Sequence, residues 1–231
     1  GGCLILTQEK YEDETFQNRN NFHSVLALKL KKVPHNMFFQ AENLETVIMP
    51  EVEEIEDGTE DISAFAGTKV SRCSFGKLKR VGAFAFNRSA IRTIDKASFP
   101  LLQKVGKAGF ANSQITKLNA PDLQQIDDLG FSKCPITEFD LPKLVQVGKF
   151  GFQCCWRLKK FSAKSLKVVG EGCFTLCSLL TSINSLLSPK DFVCRSEDGR
   201  PCLECPVCYG KLEECLERGR SEELVQAVKT D

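Results

Sequence analysis

Cysteines near the C-terminal end are the residues of this chain best suited to chemistry. Five of them fall within a short segment: Cys194, Cys202, Cys205, Cys208 and Cys215. The run Cys202-x-x-Cys205-Pro206-Val207-Cys208 has the spacing of zinc-binding thiolates, but neither a second separate pair nor a nearby histidine completes the usual set. Three states stay open, namely a structural zinc site, disulfides in an oxidising compartment, and reduced thiols. Because the spacing does not select among them, we predict no metal ligand and no cofactor, and the compartment stays open.

Other cysteines occupy a position that recurs along the chain. A serine or cysteine follows a phenylalanine by three residues five times: Ser89, Ser113, Cys134, Cys155 and Cys177. Both histidines, His23 and His35, lie far away in sequence, so a Cys–His nucleophile pair is not indicated. Free cysteine in a core behaves as a small apolar residue with a weak S–H donor. We predict a buried structural ladder, no catalytic residue and no enzymatic activity.

A third feature is an acidic segment that no basic residue interrupts. Its seven carboxylates are Glu51, Glu53, Glu54, Glu56, Asp57, Glu60 and Asp61. Clustered carboxylates can bind calcium, but this spacing does not fit an EF-hand loop. We expect a solvated, mobile loop that pairs loosely with basic residues downstream, and its role is left open. Those basic residues are Lys69, Arg72, Lys77, Lys79 and Arg80.

The elements that position these residues are repeats of about 22 residues. Five units share the pattern Leu-x-x-Val-Gly-x-x-x-Phe, with Ile126-Asp127 replacing Val-Gly in the third, and they end at Phe86, Phe110, Phe131, Phe152 and Phe174. A period of about 20–29 residues indicates a solenoid, in which stacked copies bury one continuous core. We expect each phenylalanine to fill the interior of one turn of the chain.

A second apolar pair follows each phenylalanine. The pairs are Ile91/Ile94, Ile115/Leu118, Ile136/Phe139, Leu158/Phe161 and Leu180/Ile183. We interpret them as short strands that pair in parallel, and the Val-Gly segments as turns in which glycine tolerates positive φ. Degraded copies around Phe38 and Phe65 bring the total to about seven units. The predicted domains are an N-terminal cap or flank over 1–29, the solenoid over 30–185 and a cysteine-rich C-terminal cap over 186–231.

The full pattern is Leu-x-x-Val-Gly-x-x-x-Phe-x-x-[Cys/Ser]-x-Ile-x-x-Leu-x-x-Pro, cleanest over 102–121 and 123–142. It resembles the BspA-like class of leucine-rich repeats over about two-thirds of the chain. The resemblance implies a curved right-handed α/β-type solenoid with a parallel β-sheet on one face, used for protein–protein recognition, and it implies no catalytic residues. The acidic segment and the cysteine-rich tail depart from the family pattern.

Binding positions follow from the strand alternation, which turns the residues flanking the second apolar position outward. On a concave binding face this exposes Thr93, Asp95, Lys117, Asn119, Glu138, Asp140, Lys160 and Ser162, followed by Ser182 and Asn184. The row mixes charges and contains no aromatic residue. Such a face suits a polar protein partner better than an apolar ligand or a nucleic-acid backbone.

The sequence of the tail also predicts two short helices. Residues 211–218 form one short helix with Leu212, Cys215 and Leu216 on one side, Gly219 ends it, and residues 222–229 form a second. An end cap is needed because an open solenoid edge invites aggregation.

The net charge of the chain is close to zero and therefore says little about its partners. Lysine and arginine number 31 against 30 for aspartate and glutamate, which gives no reason to expect nucleic-acid binding. No apolar run is long enough for a membrane span. We therefore predict a monomeric, non-enzymatic protein-recognition module with an unknown partner. The alternatives are a secreted or cell-surface adhesion protein and a zinc-binding interaction module in the tail.

Overall fold

The chain folds as a parallel solenoid of about eight turns that ends in one helix. The structure, a computed structural model, describes residues 2–194 and 200–230. Its described strands form three sheets in which every recorded pairing is parallel. Each turn contributes one strand to one face and a second strand to the other, which is how a 22-residue unit covers its apolar side chains.

The first face carries an N-terminal sheet followed by a five-stranded sheet. The N-terminal sheet comprises β1 (Cys3–Leu6), β2 (Ser24–Ala27), β4 (Thr46–Ile48) and β6 (Arg72–Ser74). The five-stranded sheet comprises β8 (Thr93–Ile94), β10 (Lys117–Leu118), β12 (Glu138–Asp140), β14 (Lys160–Ser162) and β16 (Ser182–Asn184). Each strand of the five-stranded sheet contains the later residue of one predicted apolar pair, and the earlier residue lies just before the strand. The prediction of short strands that pair in parallel is confirmed.

The second face is a seven-stranded sheet built from the Val-Gly segments. It comprises β3 (Lys32–Val33), β5 (Glu54–Ile55), β7 (Arg80–Val81), β9 (Lys104–Val105), β11 (Gln125–Ile126), β13 (Gln146–Val147) and β15 (Val168–Val169). The prediction that these segments are turns with positive φ at glycine is wrong. A β-carbon on Gly148 would lie 2.5 Å from the backbone nitrogen of Asp128 in the preceding turn. Glycine is needed there because neighbouring backbones approach closely.

The phenylalanines form one column of rings through the core. Neighbouring rings in the chain of Phe65, Phe86, Phe110, Phe131 and Phe152 stack with centroids 4.8–5.7 Å apart and planes within 8° of parallel. Phe16 extends the column at one end and Phe192 at the other. The expected central position of the phenylalanines is confirmed, and the column is longer than the five clear repeats.

Left-handed backbone conformations recur on both sides of this column. They occur two residues before the phenylalanine, as at Ala108 (φ 51°), and two residues after it, as at Asn112 (φ 58°). Between them the backbone N–H groups of Ala108, Phe110 and Asn112 donate to carbonyls of the next turn at 2.8–3.0 Å. These hydrogen bonds between turns offset the cost of placing non-glycine residues in the left-handed region.

The C-terminal end is closed by α1 (Leu212–Thr230), which packs on β16. The prediction of two short helices separated at Gly219 is wrong, because the helix runs through that residue. Leu212, Cys215, Leu216 and Gly219 are buried at helical spacing, which confirms the predicted apolar side and extends it. A β-carbon on Gly219 would lie 2.3 Å from the carbonyl oxygen of Ile183. This glycine therefore permits close docking on the last strand.

Candidate functional site

The outer face of the five-stranded sheet holds the predicted binding row in register. Strand pairing places Thr93 beside Lys117, Lys117 beside Glu138, and Glu138 beside Lys160. Lys117, Asn119 and Lys160 are exposed, while Thr93, Asp95 and Ser162 are half-buried. Asp140 pairs with Ser162 in the neighbouring strand. The strand pairing therefore brings these predicted positions together on neighbouring strands. That they bind a partner stays a prediction.

Two parts of that row differ from the expected alternation. Asp95 begins a turn and accepts hydrogen bonds at its Oδ1 from the backbone of Ala97 and Ser98 at 3.0 Å each. Partial burial acts to raise its pKa, but the hydrogen bonds from Ser98 and Ala97 leave it below the ordinary value. The expectation that Ser182 is outward is wrong: it is 3% exposed, because α1 packs on its strand.

The acidic segment is not the mobile loop expected from its composition. Its residues 54–55 form β5, and its five carboxylates from Glu51 to Asp57 pair with basic residues of neighbouring turns. Glu51 pairs with Lys77 at 2.7 Å and Glu53 with Lys79 at 3.1 Å. The sequence prediction of pairing with Lys77, Lys79 and Arg80 is confirmed for these partners, while Arg72 pairs with Glu45. The segment therefore carries ion pairs across the seven-stranded sheet.

Arg80 is the centre of that ion-pair network. Its Nη1 donates to Glu54 at 2.8 Å, and its Nη2 donates to both carboxylate oxygens of Asp57. The backbone N–H of Ala83 donates to the same carboxylate at 2.7 Å. Partial burial acts to raise the pKa of Asp57, but these hydrogen bonds hold that pKa below its ordinary value. The network orders the segment that links β5 to the following turn.

A cluster of four cysteines is the site with the most chemical potential. The Sγ atoms of Cys194, Cys202, Cys205 and Cys208 all lie within 4.8 Å of one another. Cys202 Sγ lies 3.4 Å from that of Cys194 and 3.8 Å from that of Cys208. Cys205 is fully buried and the other three are half-buried. The sequence singled out these residues, but the approach of Cys194 to the other three depends on the fold.

Cys215 is not part of this cluster. Its thiol lies under α1 and donates to the carbonyl oxygen of Leu180 at 3.7 Å. Burial raises the pKa of this thiol. It is one of the five cysteines considered from the sequence, and its contacts are those of a structural core residue.

Groups of the last repeat face the cluster. Oγ1 of Thr175 lies 3.4 Å from Cys194 Sγ, and the backbone N–H of Leu176 donates to Cys202 Sγ at 3.5 Å. Partial burial acts to raise the pKa of Cys202, but hydrogen bonds from the N–H groups of Leu176 and Glu204 contribute to lowering it to about 7. Burial raises the pKa of Cys205. Thr175 and Leu176 directly follow Phe174 in the chain, so the phenylalanine column positions one side of the cluster.

The serine–cysteine ladder predicted as structural is buried as expected. The thiols of Cys134, Cys155 and Cys177 donate to carbonyl oxygens of the preceding turn, at 3.1, 3.3 and 3.1 Å. Burial raises the pKa of Cys134 to about 12 and raises those of Cys155 and Cys177 well above their ordinary value. These thiols stay protonated near neutral pH and are poor nucleophiles.

Sequence reasoning missed an apolar row at the other end of the first face. Ile5, Leu26 and Ile48 are paired across β1, β2 and β4, and Ile5 and Ile48 are 62% and 42% exposed. Alternation within these strands could have revealed the row, but the N-terminal strands lie outside the clear repeats. A second missed grouping is Asp13, His35 and Glu56, with His35 Nδ1 3.4 Å from Asp13 Oδ2. It lies at the surface and carries no functional argument.

A parallel solenoid with one phenylalanine per turn and two sheet faces places the chain in the class of solenoid repeat proteins. Within that class, the chain belongs to the family of the BspA type leucine-rich repeat region, whose model matches residues 9–137 and 103–190 with six copies. Comparison with curated proteins and with solved structures finds no significant match. Proteins of this family are generally non-enzymatic repeat proteins, which supports a recognition role. Among the described residues, no helix combines the length and hydrophobicity that a membrane-spanning segment requires.

Proposed function

We propose that this chain is a non-enzymatic recognition module that binds a protein partner on the outer face of the five-stranded sheet. The single observation that carries the proposal is the register of β8, β10, β12 and β14, which aligns Thr93, Lys117, Glu138 and Lys160 in one row. Neighbouring strands lie about 4.8 Å apart, so the row places one residue at each such interval. Extended surfaces of this kind are what solenoids use for binding.

The composition of the row indicates the kind of partner. Along the row the residues are threonine, lysine, glutamate and lysine, and Asn119 and Ser162 lie at the C-terminal ends of two of these strands. Nucleic-acid backbones require clusters of basic residues, and this row does not provide one. A polar protein surface with complementary charges is the better fit.

A monomer is the proposed state of the isolated chain. Free strand edges are the usual route to association of parallel sheets. At the C-terminal end, α1 lies against the backbone of β16 and covers that edge. Size-exclusion chromatography with light scattering measures this directly, and a concentration-dependent dimer would contradict it.

Site-specific photo-crosslinking tests the binding face. A benzophenone amino acid replaces Asn119 on the proposed face or Gln146 on the seven-stranded sheet, both of which are exposed polar positions. We expect discrete adducts with a protein partner in native lysate from position 119 and not from position 146. Excess wild-type chain should compete for the partner, and the Lys117→Glu variant should compete less well. Equal adducts at the two positions, or none at position 119, would refute the proposed face.

A further inference from the structure

We propose that Cys194, Cys202, Cys205 and Cys208 bind a single Zn²⁺ ion as four thiolates, and that this site attaches the C-terminal tail to the last turn of the solenoid. The convergence of four sulfur atoms within 4.8 Å of one another is the observation behind the proposal. It involves no residue of the binding row and is independent of the proposed function.

The distances fit one tetrahedral ion. With Zn–S bonds of about 2.3 Å, tetrahedral geometry places ligand sulfurs about 3.8 Å apart. The Cys202–Cys208 separation is 3.8 Å and the Cys194–Cys202 separation is 3.4 Å. Disulfides would instead bring two sulfurs to about 2.05 Å and divide the group into pairs. An iron–sulfur cluster holds its cysteine sulfurs further apart than a single ion does, so four sulfurs this close favour a mononuclear site.

The chemistry of the ligands also selects zinc. Soft thiolates in a set of four suit tetrahedral Zn²⁺, whereas calcium and magnesium require oxygen ligands. Each thiol releases its proton to solvent as the sulfur binds, so the site forms with a net release of protons. The N–H of Leu176 donates to Cys202 Sγ, which is the type of outer hydrogen bond that orients a metal ligand.

The described segment between the last turn and α1 has little regular structure of its own. Residues 200–211, which lie between the last turn of the solenoid and α1, form only bends, turns and irregular backbone. Leu203 and Tyr209 in this segment are 69% and 60% exposed, while Cys205 is fully buried. A short segment with so small an apolar core commonly needs a metal or a disulfide to fold. The ion would connect Cys194, which follows the last stacked ring at Phe192, to the segment that leads into α1.

Metal analysis of the full chain is the direct test. The protein is expressed with zinc in the medium, purified under reducing conditions without chelator, and measured by inductively coupled plasma mass spectrometry. We expect about one zinc and no iron per chain. Titration with a mercurial reagent should release the zinc as the four cluster thiols react, after accessible thiols such as the exposed Cys3 have been consumed. Absence of metal with freely reacting thiols, disulfides mapped among these cysteines by mass spectrometry, or bound iron would each overturn the proposal.

Single substitutions test whether zinc binding depends on the four cluster cysteines and not on the nearby Cys215. Cys208→Ser should lower zinc content at least several-fold, whereas Cys215→Ser should retain it, because the Cys215 thiol bonds to Leu180 outside the cluster. Replacement of zinc by Co²⁺ should give the thiolate charge-transfer absorption and the intense visible bands of tetrahedral cobalt in the wild type. Because a variant can lose metal by misfolding, the cobalt spectrum of the wild type provides the decisive readout. An octahedral cobalt spectrum, or equal zinc in the two variants, would contradict the assignment.

Discussion

The ring of Phe192 stacks on the ring of Phe174, with centroids 6.1 Å apart and planes inclined by 24°. Phe174 belongs to the last clear repeat, whereas Phe192 lies beyond it in the tail. The phenylalanine column therefore continues past the recognisable sequence repeats and ends two residues before Cys194. This stacking connects the core of the solenoid with the cysteine cluster, because the ring that ends the column belongs to the segment that leads directly into Cys194.

Replacing Phe192 by alanine should lower the free energy of unfolding by about 3 kcal/mol, the lower part of the range for a buried phenylalanine, because the ring stacks on one neighbour only. Urea denaturation measures the change. Val193→Ala is the matched control, since Val193 is adjacent and 47% exposed, and it should cost less than about 1 kcal/mol. Equal losses in the two variants would show that the ring does not support the C-terminal end.

The sequence was sufficient to predict the column and one set of strands, but not the second sheet. Strands such as Lys104–Val105 contain two residues, which is too short for alternation to be recognised, so only the glycine after valine remained as a signal. Glycine serves equally for positive φ and for close backbone approach, and the sequence does not distinguish these uses. Gly219 was misread for the same reason, since its contact with Ile183 is a tertiary one.

The cysteine cluster was predictable only in part. The spacing from Cys202 to Cys208 is visible in the sequence, but Cys194 precedes Cys202 by eight residues and does not fit a zinc motif of standard spacing. Its position depends on the last turn, where the N–H of Gly172 donates to the carbonyl of Val193 at 2.7 Å. In the acidic segment, composition suggested a loop, whereas pairing with the following turn at Arg80 produces a strand.

The serine ladder contains a matched pair for testing buried hydrogen bonds. Ser113 Oγ lies 3.3 Å from Cys134 Sγ, whereas the buried Ser89 Oγ has no hydrogen-bond partner among the described residues. Ser113→Ala should therefore lower the unfolding free energy by about 1 kcal/mol, because a buried bond is lost. Ser89→Ala should leave it unchanged or raise it, because a buried polar group without a partner is removed.

Denaturation of both serine variants under identical conditions makes the comparison. The two residues occupy equivalent positions in neighbouring turns, so differences in burial contribute little. A loss for Ser89→Ala as large as that for Ser113→Ala would indicate that Ser89 has a partner in solution, such as an ordered water molecule.

The Asp57–Arg80 pair predicts a pH-dependent contribution to stability. The folded-state pKa of Asp57 lies below its value in the unfolded chain. Its contribution is therefore fully present above the unfolded value of about 3.9 and is lost as pH falls through the lower folded value. Asp57→Asn should lower the melting temperature at pH 7, and the difference from wild type should shrink towards pH 3.

Melting curves between pH 3 and pH 7 test this sign. The effect at pH 7 should be modest, because the Asp57 side chain is 56% exposed and solvent screens its charge. Glu60→Gln, in the same acidic segment, is a control that should show no comparable convergence. A difference between Asp57→Asn and wild type that grows as the pH falls would contradict the direction of the shift.

Gly219→Ala tests whether this glycine ends a helix or permits docking. Alanine is the better helix former by about 1 kcal/mol, so the substitution would stabilise α1 if only local propensity mattered. The added β-carbon would lie 2.3 Å from the carbonyl oxygen of Ile183, and we therefore expect α1 to move away from β16 and stability to fall. Hydrogen–deuterium exchange should show faster exchange in both α1 and β16. Arg220→Ala, on the exposed side of the same helix, should leave exchange in β16 unchanged. Unchanged or slower exchange in Gly219→Ala would show that the helix does not depend on this close contact.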